Sequence, residues 1–159
     1  MKKWVLSRHD SMEMVAKVEA SVGLGLGLGK SAQAKCEEPA DGVVFVNLDG
    51  LTFVQLDDGF LPFLGSKETL DLFPSATVDE GAIKFMLKGA DVMRPGIRSF
   101  DQWGAAGKMV IVKEETKGRS IAVGRAIVSS SEAQTMTKGA CLKNVHHVGD
   151  RFWTIHKQV

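Results

Sequence analysis

Asp49-Gly50 separates two apolar runs, Val43 to Leu48 and Leu51 to Leu56, by only two positions, and no other feature restricts the fold of this chain as tightly. A two-residue loop between antiparallel strands adopts a type I′ turn, in which both central residues need positive φ, and Asp-Gly meets that need. The first half of the chain is therefore committed to an antiparallel sheet. Asp57-Asp58-Gly59 offers a second turn into Phe60 to Leu64, which predicts a three-stranded meander. A helix over residues 10–22 covers it. Met12, Val15, Ala16, Val18 and Val22 form the apolar face, Asp10 caps the start with Glu13 three residues on, and Gly23 ends it.

Between this helix and the meander lies Gly23-Leu24-Gly25-Leu26-Gly27-Leu28-Gly29-Lys30-Ser31, whose last three residues are those of a phosphate-binding loop. The register excludes that reading: such a loop needs glycine five positions before Gly29, and Leu24 stands there. The run is read as a connector. Further on, Ser66 caps a short helix through Leu72 that Pro74 stops, so Phe73 to Thr77 marks a boundary. Two domains are expected, residues 1–76 and residues 77–159.

The halves differ in charge. The 159 residues carry a net charge of +1, but residues 1–76 hold 7 Lys/Arg against 11 Asp/Glu, net −4, and residues 77–159 hold 13 against 8, net +5. A module of that sign can neutralise several phosphates, which directs a nucleic-acid contact to the second half. No apolar run reaches the roughly 18 residues of a membrane span, and Arg8, His9 and Asp10 interrupt the opening segment as a signal peptide, so a cytoplasmic protein without membrane contact is expected. Cys36 and Cys141 form no Cys-x-x-Cys pair and are read as free thiols.

In the second half, Thr77 and Glu80 fit a capping box for a helix that buries Ala82, Ile83, Met86 and Leu87 and ends at Gly89. Lys84 and Lys88 share one face of it, where mutual repulsion adds nothing to helix stability. A solvated face and a phosphate-tracking stripe both fit that pattern. Ala90 to Met93 reads as a strand, and Arg94-Pro95-Gly96 as a turn with Pro fixing φ and Gly supplying positive φ. Strands follow at Met109 to Val112 and Ser120 to Ile127, then a helix capped by Ser129 and Glu132 that ends at Lys138. A last hairpin, Ala140 to Val148 and Arg151 to Ile155, turns at Gly149-Asp150. Short strands with short helices suggest a partly closed β-barrel.

Three stretches resemble the PUA domain, named after pseudouridine synthases and archaeosine transglycosylases. They are Gly81-Ala82-Ile83-Lys84-Phe85 with Lys88 to Ile97, Val123-Gly124-Arg125-Ala126, and Lys138 to Trp153. The junction, with Phe73-Pro74 and Asp79 to Lys84, is similar to that of the archaeal relatives of the malignant T-cell-amplified protein, which join a small N-terminal domain to a PUA domain and work with translating ribosomes. The resemblance implies an α+β fold: a small N-terminal α/β adaptor domain, then a PUA-type partly closed β-barrel with short helices. It further implies that single-stranded or helix-end RNA, tRNA or rRNA, lies against Lys84, Lys88, Gly89, Ala90, Arg94, Pro95 and Gly96, with His147 and Arg151 beside them. The ribosome and a translation-factor-like protein are the expected partners of a monomer.

Catalysis, a metal and a cofactor have no support in the residues. His9, His146, His147 and His156 accompany no hydrolase or metalloprotease motif, and adjacent His146 and His147 on a strand point to opposite faces. Ser129-Ser130-Ser131 is explained by helix capping. Trp153 is read as core on the closing strand, and Trp103, in a Gly-rich loop, is the better candidate of the two for an exposed base-stacking position. An RNA-binding adaptor in translation is the leading expectation. The alternative is an accessory RNA-targeting subunit for an RNA-modifying enzyme such as a pseudouridine synthase or tRNA-guanine transglycosylase.

Overall fold

In the computed structural model, which describes residues 1–157, Asp49 at φ 50 and Gly50 at φ 94 both occupy the left-handed region. The two-residue turn joins β3 (Val43–Leu48) to β4 (Leu51–Leu56), with Leu48 paired to Leu51. The Asn47 carboxamide oxygen accepts from the Gly50 N–H at 3.0 Å and locks the reversal. β5 (Gly59–Pro62) completes the expected meander.

Two further strands extend it. β1 (Lys2–Val5) and β2 (Ala34–Ala40) make a five-stranded antiparallel sheet in the order β1-β2-β3-β4-β5. Every residue of β1 is exposed, so no alternation marks it in the sequence. β2 contains Pro39, which sits where the pairing with β3 shifts register between Glu37 and Ala40; a bulge tolerates the missing N–H.

The helix α1 (Arg8–Val22) begins two residues before the expected start, because Ser7, not Asp10, is its cap and accepts from the Asp10 N–H at 3.0 Å. Gly23 ends it at φ 79. Ser21 Oγ accepts from the Phe60 N–H at 2.8 Å and Ser11 Oγ from the Ala34 N–H at 3.0 Å, which bind the helix to both sides of the sheet. The glycine-leucine run is an anchored connector: the Glu19 carboxylate accepts from the Leu26 N–H at 2.7 Å, and Leu26 is buried. A phosphate cradle needs strand, loop, helix; the order here is helix, loop, strand. After β5 comes α2 (Lys67–Leu70).

The chain divides into two units, one of Met1–Leu72 with the segment from Thr154, the other Phe73–Trp153. The boundary expected between Ala76 and Thr77 falls inside β6 (Ser75–Val78), since Pro74 is no linker: its carbonyl accepts from the Ile111 N–H at 2.9 Å. In the first unit the His156 ring lies 4.8 Å from the Phe45 ring and 4.3 Å from that of Phe63. Burial there pushes the His156 pKa below its usual value, more than Glu37 raises it.

The second unit adds α3 (Ile83–Met86), β7 (Val92–Met93), β8 (Ile97–Phe100), β9 (Met109–Glu114), β10 (Ser120–Ala126), α4 (Ser130–Thr135), β11 (Ala140–His147) and the start of α5 (Arg151–His156), whose end from Thr154 belongs to the first unit. Its six-stranded sheet runs β7-β11-β10-β9-β6-β8, parallel only between β6 and β9, and nearly closes on itself as a barrel. β10 is buried along Ile121 to Gly124, and a Cβ on Gly124 would stand 3.0 Å from that of Leu142 on β11. Val78, Met86, Val92, Val110, Val112 and Leu142 lie in one core.

Three expectations fail in this unit for local reasons. Arg151 to Ile155 is helical, not a strand, because the Asp150 carboxylate caps it by accepting from the Trp153 N–H at 2.9 Å, so Gly149-Asp150 leads into a helix and not into a returning strand. Trp153 is accordingly half-buried on a helix. Trp103 is core, not exposed: its Nε1–H donates to the Val128 carbonyl at 3.0 Å and its ring lies 5.0 Å from Phe100. Ser130 ties the loop down, its Oγ accepting from the Gly104 N–H at 3.0 Å. The third is the cap of the first turn, where Asp79 replaces Thr77 and accepts from the Ala82 N–H at 2.9 Å. Ser129 caps α4 as expected.

Cys36 and Cys141 are buried free thiols whose pKa values burial pushes up. No helix among the described residues is long and apolar enough to cross a membrane. Buried Glu114 is held below its usual pKa of 4.5, first by the Lys117 N–H at 2.6 Å, and then by the Arg119 side chain and the Gly118 N–H, which together outweigh the upward push of burial. A lowered carboxylate pKa contributes stability that is fully present above about 4.5 and is lost as pH falls through the folded value. Glu114→Gln is therefore expected to lower the thermal midpoint by several degrees at neutral pH and to flatten the acid limb of the stability curve, as measured by urea denaturation across a pH series.

Candidate nucleic-acid interface

Of the expected site residues, Lys84, Lys88, Gly89 and Ala90 lie on α3 or just past its end, and His147 packs over Gly89. The helix is one turn long, preceded by a short 3-10 helix (Glu80–Ala82), and Gly89 terminates it at φ 90. The Gly89 N–H donates to the Met86 carbonyl and the Ala90 N–H to that of Phe85, both at 3.0 Å, so this turn's amides are engaged in the cap and not offered to a phosphate. Positive charge must come from side chains. Lys84 and Lys88 are both exposed, and Lys84 Nζ lies 5.2 Å from the centre of the Phe85 ring.

Beside these lysines runs a groove of about 410 Å³ whose rim includes Gly81, Phe85, Ala90, Asp91, Met93 and Gly96. Its walls are largely apolar and its floor is Val78, Met86 and Val92. Phe85 is 51% exposed and Met93 49%, while Leu87, expected in the core, is 40% exposed because the helix ends before it. An exposed aromatic ring with one ammonium group beside it and a second exposed lysine one turn on can stack a base while the lysines hold the adjoining phosphates.

Arg94 does not join them. Its Nε donates to the Ala133 carbonyl at 2.6 Å and its Nη1 to that of Ile97 at 3.2 Å, with the guanidinium 5.5 Å from the Phe100 ring centre. The guanidinium braces α4 against β8. Arg94, Pro95 and Gly96 form a 3-10 turn without the positive φ expected of Gly96; Gly96 lines the groove and Pro95 is exposed. His147 packs over Gly89, its Nε2 only 3.4 Å from where a Cβ would sit, and its Nδ1 lies 2.9 Å from the Val148 carbonyl oxygen. Arg151 is exposed at the start of α5.

Neighbouring His146 is fully buried and its Nδ1 lies 2.7 Å from Asp150 Oδ2. Burial pushes the Asp150 pKa up, but hydrogen bonds from His146 and from the Trp153 and His147 N–H groups outweigh it, and the net shift is downward. In the first unit, His9, Asp10 and Glu13 bring potential metal-ligating atoms within 4.8 Å of one another, all exposed; the His9–Glu13 contact at 3.1 Å is an ordinary i,i+4 helix pair.

Sequence reasoning missed Phe85, Asp91, Met93 and Asn144. Phe85 was legible in principle, as a large aromatic residue off the apolar stripe of Ile83 and Met86. Asn144 carried no signal, because its side-chain amide donates to the carbonyls of Met86 at 3.0 Å and Ala90 at 3.1 Å, far away in the chain.

The family model of the PUA domain matches residues 74–148. An uncharacterized protein of Methanocaldococcus jannaschii is 37% identical over 114 residues, which cover 70% of this chain and 68% of that protein. The translation machinery-associated protein 20 of Saccharomyces cerevisiae is 32% identical over 130 residues, 75% of this chain and 68% of its own. Malignant T-cell-amplified sequence 1-B of Xenopus laevis is 32% identical over 123 residues, with 75% and 67% covered. Among solved structures, a hypothetical protein of Pyrococcus horikoshii superposes with a TM-score of 0.76 at 28% identity, over 97% of this chain and 99% of that one. A conserved PUA domain protein of Thermoplasma acidophilum, with a TM-score of 0.70 at 23% identity over 96% and 98%, shares the fold.

Two substitutions separate local architecture from binding. Gly89→Ala forces a left-handed backbone on an L-residue and crowds His147, so it should cost about 1–3 kcal/mol in urea denaturation. Arg94→Ala should lower the thermal midpoint by removing the brace on Ala133 and Ile97, and leave the salt dependence of any RNA binding at the parental value.

Proposed function

The chain belongs to the family of the malignant T-cell-amplified and translation machinery-associated proteins, and from that membership we propose that it is a non-catalytic RNA-binding protein of translation that takes tRNA or rRNA along the groove beside α3. The observation that carries this reading is the exposed Phe85 ring on the rim of the groove, with Lys84 Nζ 5.2 Å from its centre and Lys88 exposed one turn further on, within the residues matched by the PUA model. Unstacked bases suit such a site better than duplex, since A-form helix hides the faces that an aromatic ring stacks upon. The name of the yeast relative, a translation machinery-associated protein, supports a role in translation, with the Met1–Leu72 unit as adaptor and the Phe73–Trp153 unit as the RNA-binding domain of a cytoplasmic protein.

Two variants test the interface with tRNA and a single-stranded RNA oligonucleotide across a salt series. Lys84→Glu with Lys88→Glu is expected to weaken binding and to reduce the slope of log K against log salt by about 2. Phe85→Ala is expected to weaken binding about tenfold with the slope retained, because stacking is lost and charge is not. Parental affinity in both variants at every salt concentration would remove this groove as the interface. Co-sedimentation with ribosomes from a translating lysate tests the adaptor role; a chain recovered only in the ribosome-free fraction speaks against it.

A further inference from the structure

Asn144 stands on β11 opposite Gly124 and ties together the two ends of the lysine-bearing turn. Its Nδ2 donates to the carbonyls of Met86 and Ala90, and its backbone N–H donates to Asp91 Oδ1 at 3.1 Å. These carbonyls bracket Leu87, Lys88 and Gly89. The Met86 carbonyl at the end of α3 also accepts from the Gly89 N–H, the Ala90 carbonyl lies beyond the reversal, and one side chain serves both. Only the NH₂ group of the carboxamide can do so, which fixes the amide orientation.

The other end of the carboxamide is not satisfied. Asn144 Oδ1 is buried and lacks a hydrogen-bond partner among the described residues. A buried unpaired acceptor is destabilising, and an apolar side chain of similar shape would avoid it. Strand stability alone therefore does not account for asparagine at this position. What asparagine adds is control of the turn: α3 is a single turn, too short to hold its conformation without tertiary support, and Gly89 has no Cβ to restrict it.

We propose that Asn144 is a positioning residue for RNA, a latch that holds the Lys88-Gly89-Ala90-Asp91 turn on β11 and so fixes Lys88 and the groove rim before RNA arrives. This rests on the groove being the RNA interface. With the latch in place, the turn does not have to be ordered during association, and preorganisation of that kind appears as affinity. Asn144 itself needs no contact with the ligand.

Asn144→Leu in the full chain tests the latch, with tRNA and a single-stranded RNA oligonucleotide as probes. The expected result is affinity lower by about tenfold, a log K against log salt slope equal to the parent's because every lysine remains, and faster amide hydrogen exchange at Gly89 and Ala90 with β9 and β10 unaffected. Parental RNA affinity despite faster exchange at the turn overturns the proposal, and so does parental exchange at the turn. Should Asn144→Leu fail to fold, Asp91→Ala cuts the companion bond from outside the strand and is read by the same criteria, with a smaller loss. Weakened binding by the double lysine variant alongside parental binding by Asn144→Leu sinks the latch alone. Parental binding by the double lysine variant and by Phe85→Ala sinks the interface.

Discussion

The close approach of β10 and β11 at Gly124 is the constraint on which the second unit depends. A Cβ there would stand 3.0 Å from the Leu142 Cβ and 3.5 Å from the Val110 carbonyl oxygen, so any other residue would press on Leu142 and push the strands apart by a few tenths of an ångström. The pairing shifts register between Val123 and Gly124, and beyond that bulge β11 turns His146 inward while Asn144 reaches the end of α3. A bulge that re-aims side chains is thus placed beside the candidate interface. The groove inherits its shape from a central strand that never touches it.

Legibility in the sequence followed how local each determinant is. The Asp49-Gly50 reversal was readable because turn type, strand period and residue chemistry sit within a few positions of one another. The charge of the second half was readable as a sum. β1 and β2 were not, since an exposed edge strand has no burial period and Pro39 looks like an interruption until its bulge is seen. Trp103 shows the opposite error: a Gly-rich loop reads as solvent-facing, yet Gly104 and Gly107 at φ 92 coincide with a loop that folds back over the core. At the candidate site the lysines were legible and the groove beside them was not: its lining lies within residues 78–96, but which of those side chains face it depends on how the one-turn α3 and the reversal at Gly89 fold the stretch back on itself.

The arginine in the site motif illustrates why residue type alone is a poor guide to role. Three cations lie close in sequence, Lys84, Lys88 and Arg94. The two lysines have flexible stems that keep a hydrated charge in solvent, whereas the planar guanidinium of Arg94 fits two carbonyl oxygens and an aromatic edge inside the unit. Exposed charge and structural brace are thereby divided between residues that a composition count treats as equal.

The His156 ring held against Phe45 and Phe63 has a consequence for synthesis. Those phenylalanines leave the ribosome long before the histidine does, and the whole of the second unit is made in between. The first unit therefore gains this part of its aromatic packing last, once the whole of the second unit has been synthesised. A nascent chain halted inside the second unit would carry a first unit with one aromatic face still uncovered, a state that chaperones and ribosome-bound factors would meet and the finished protein would not.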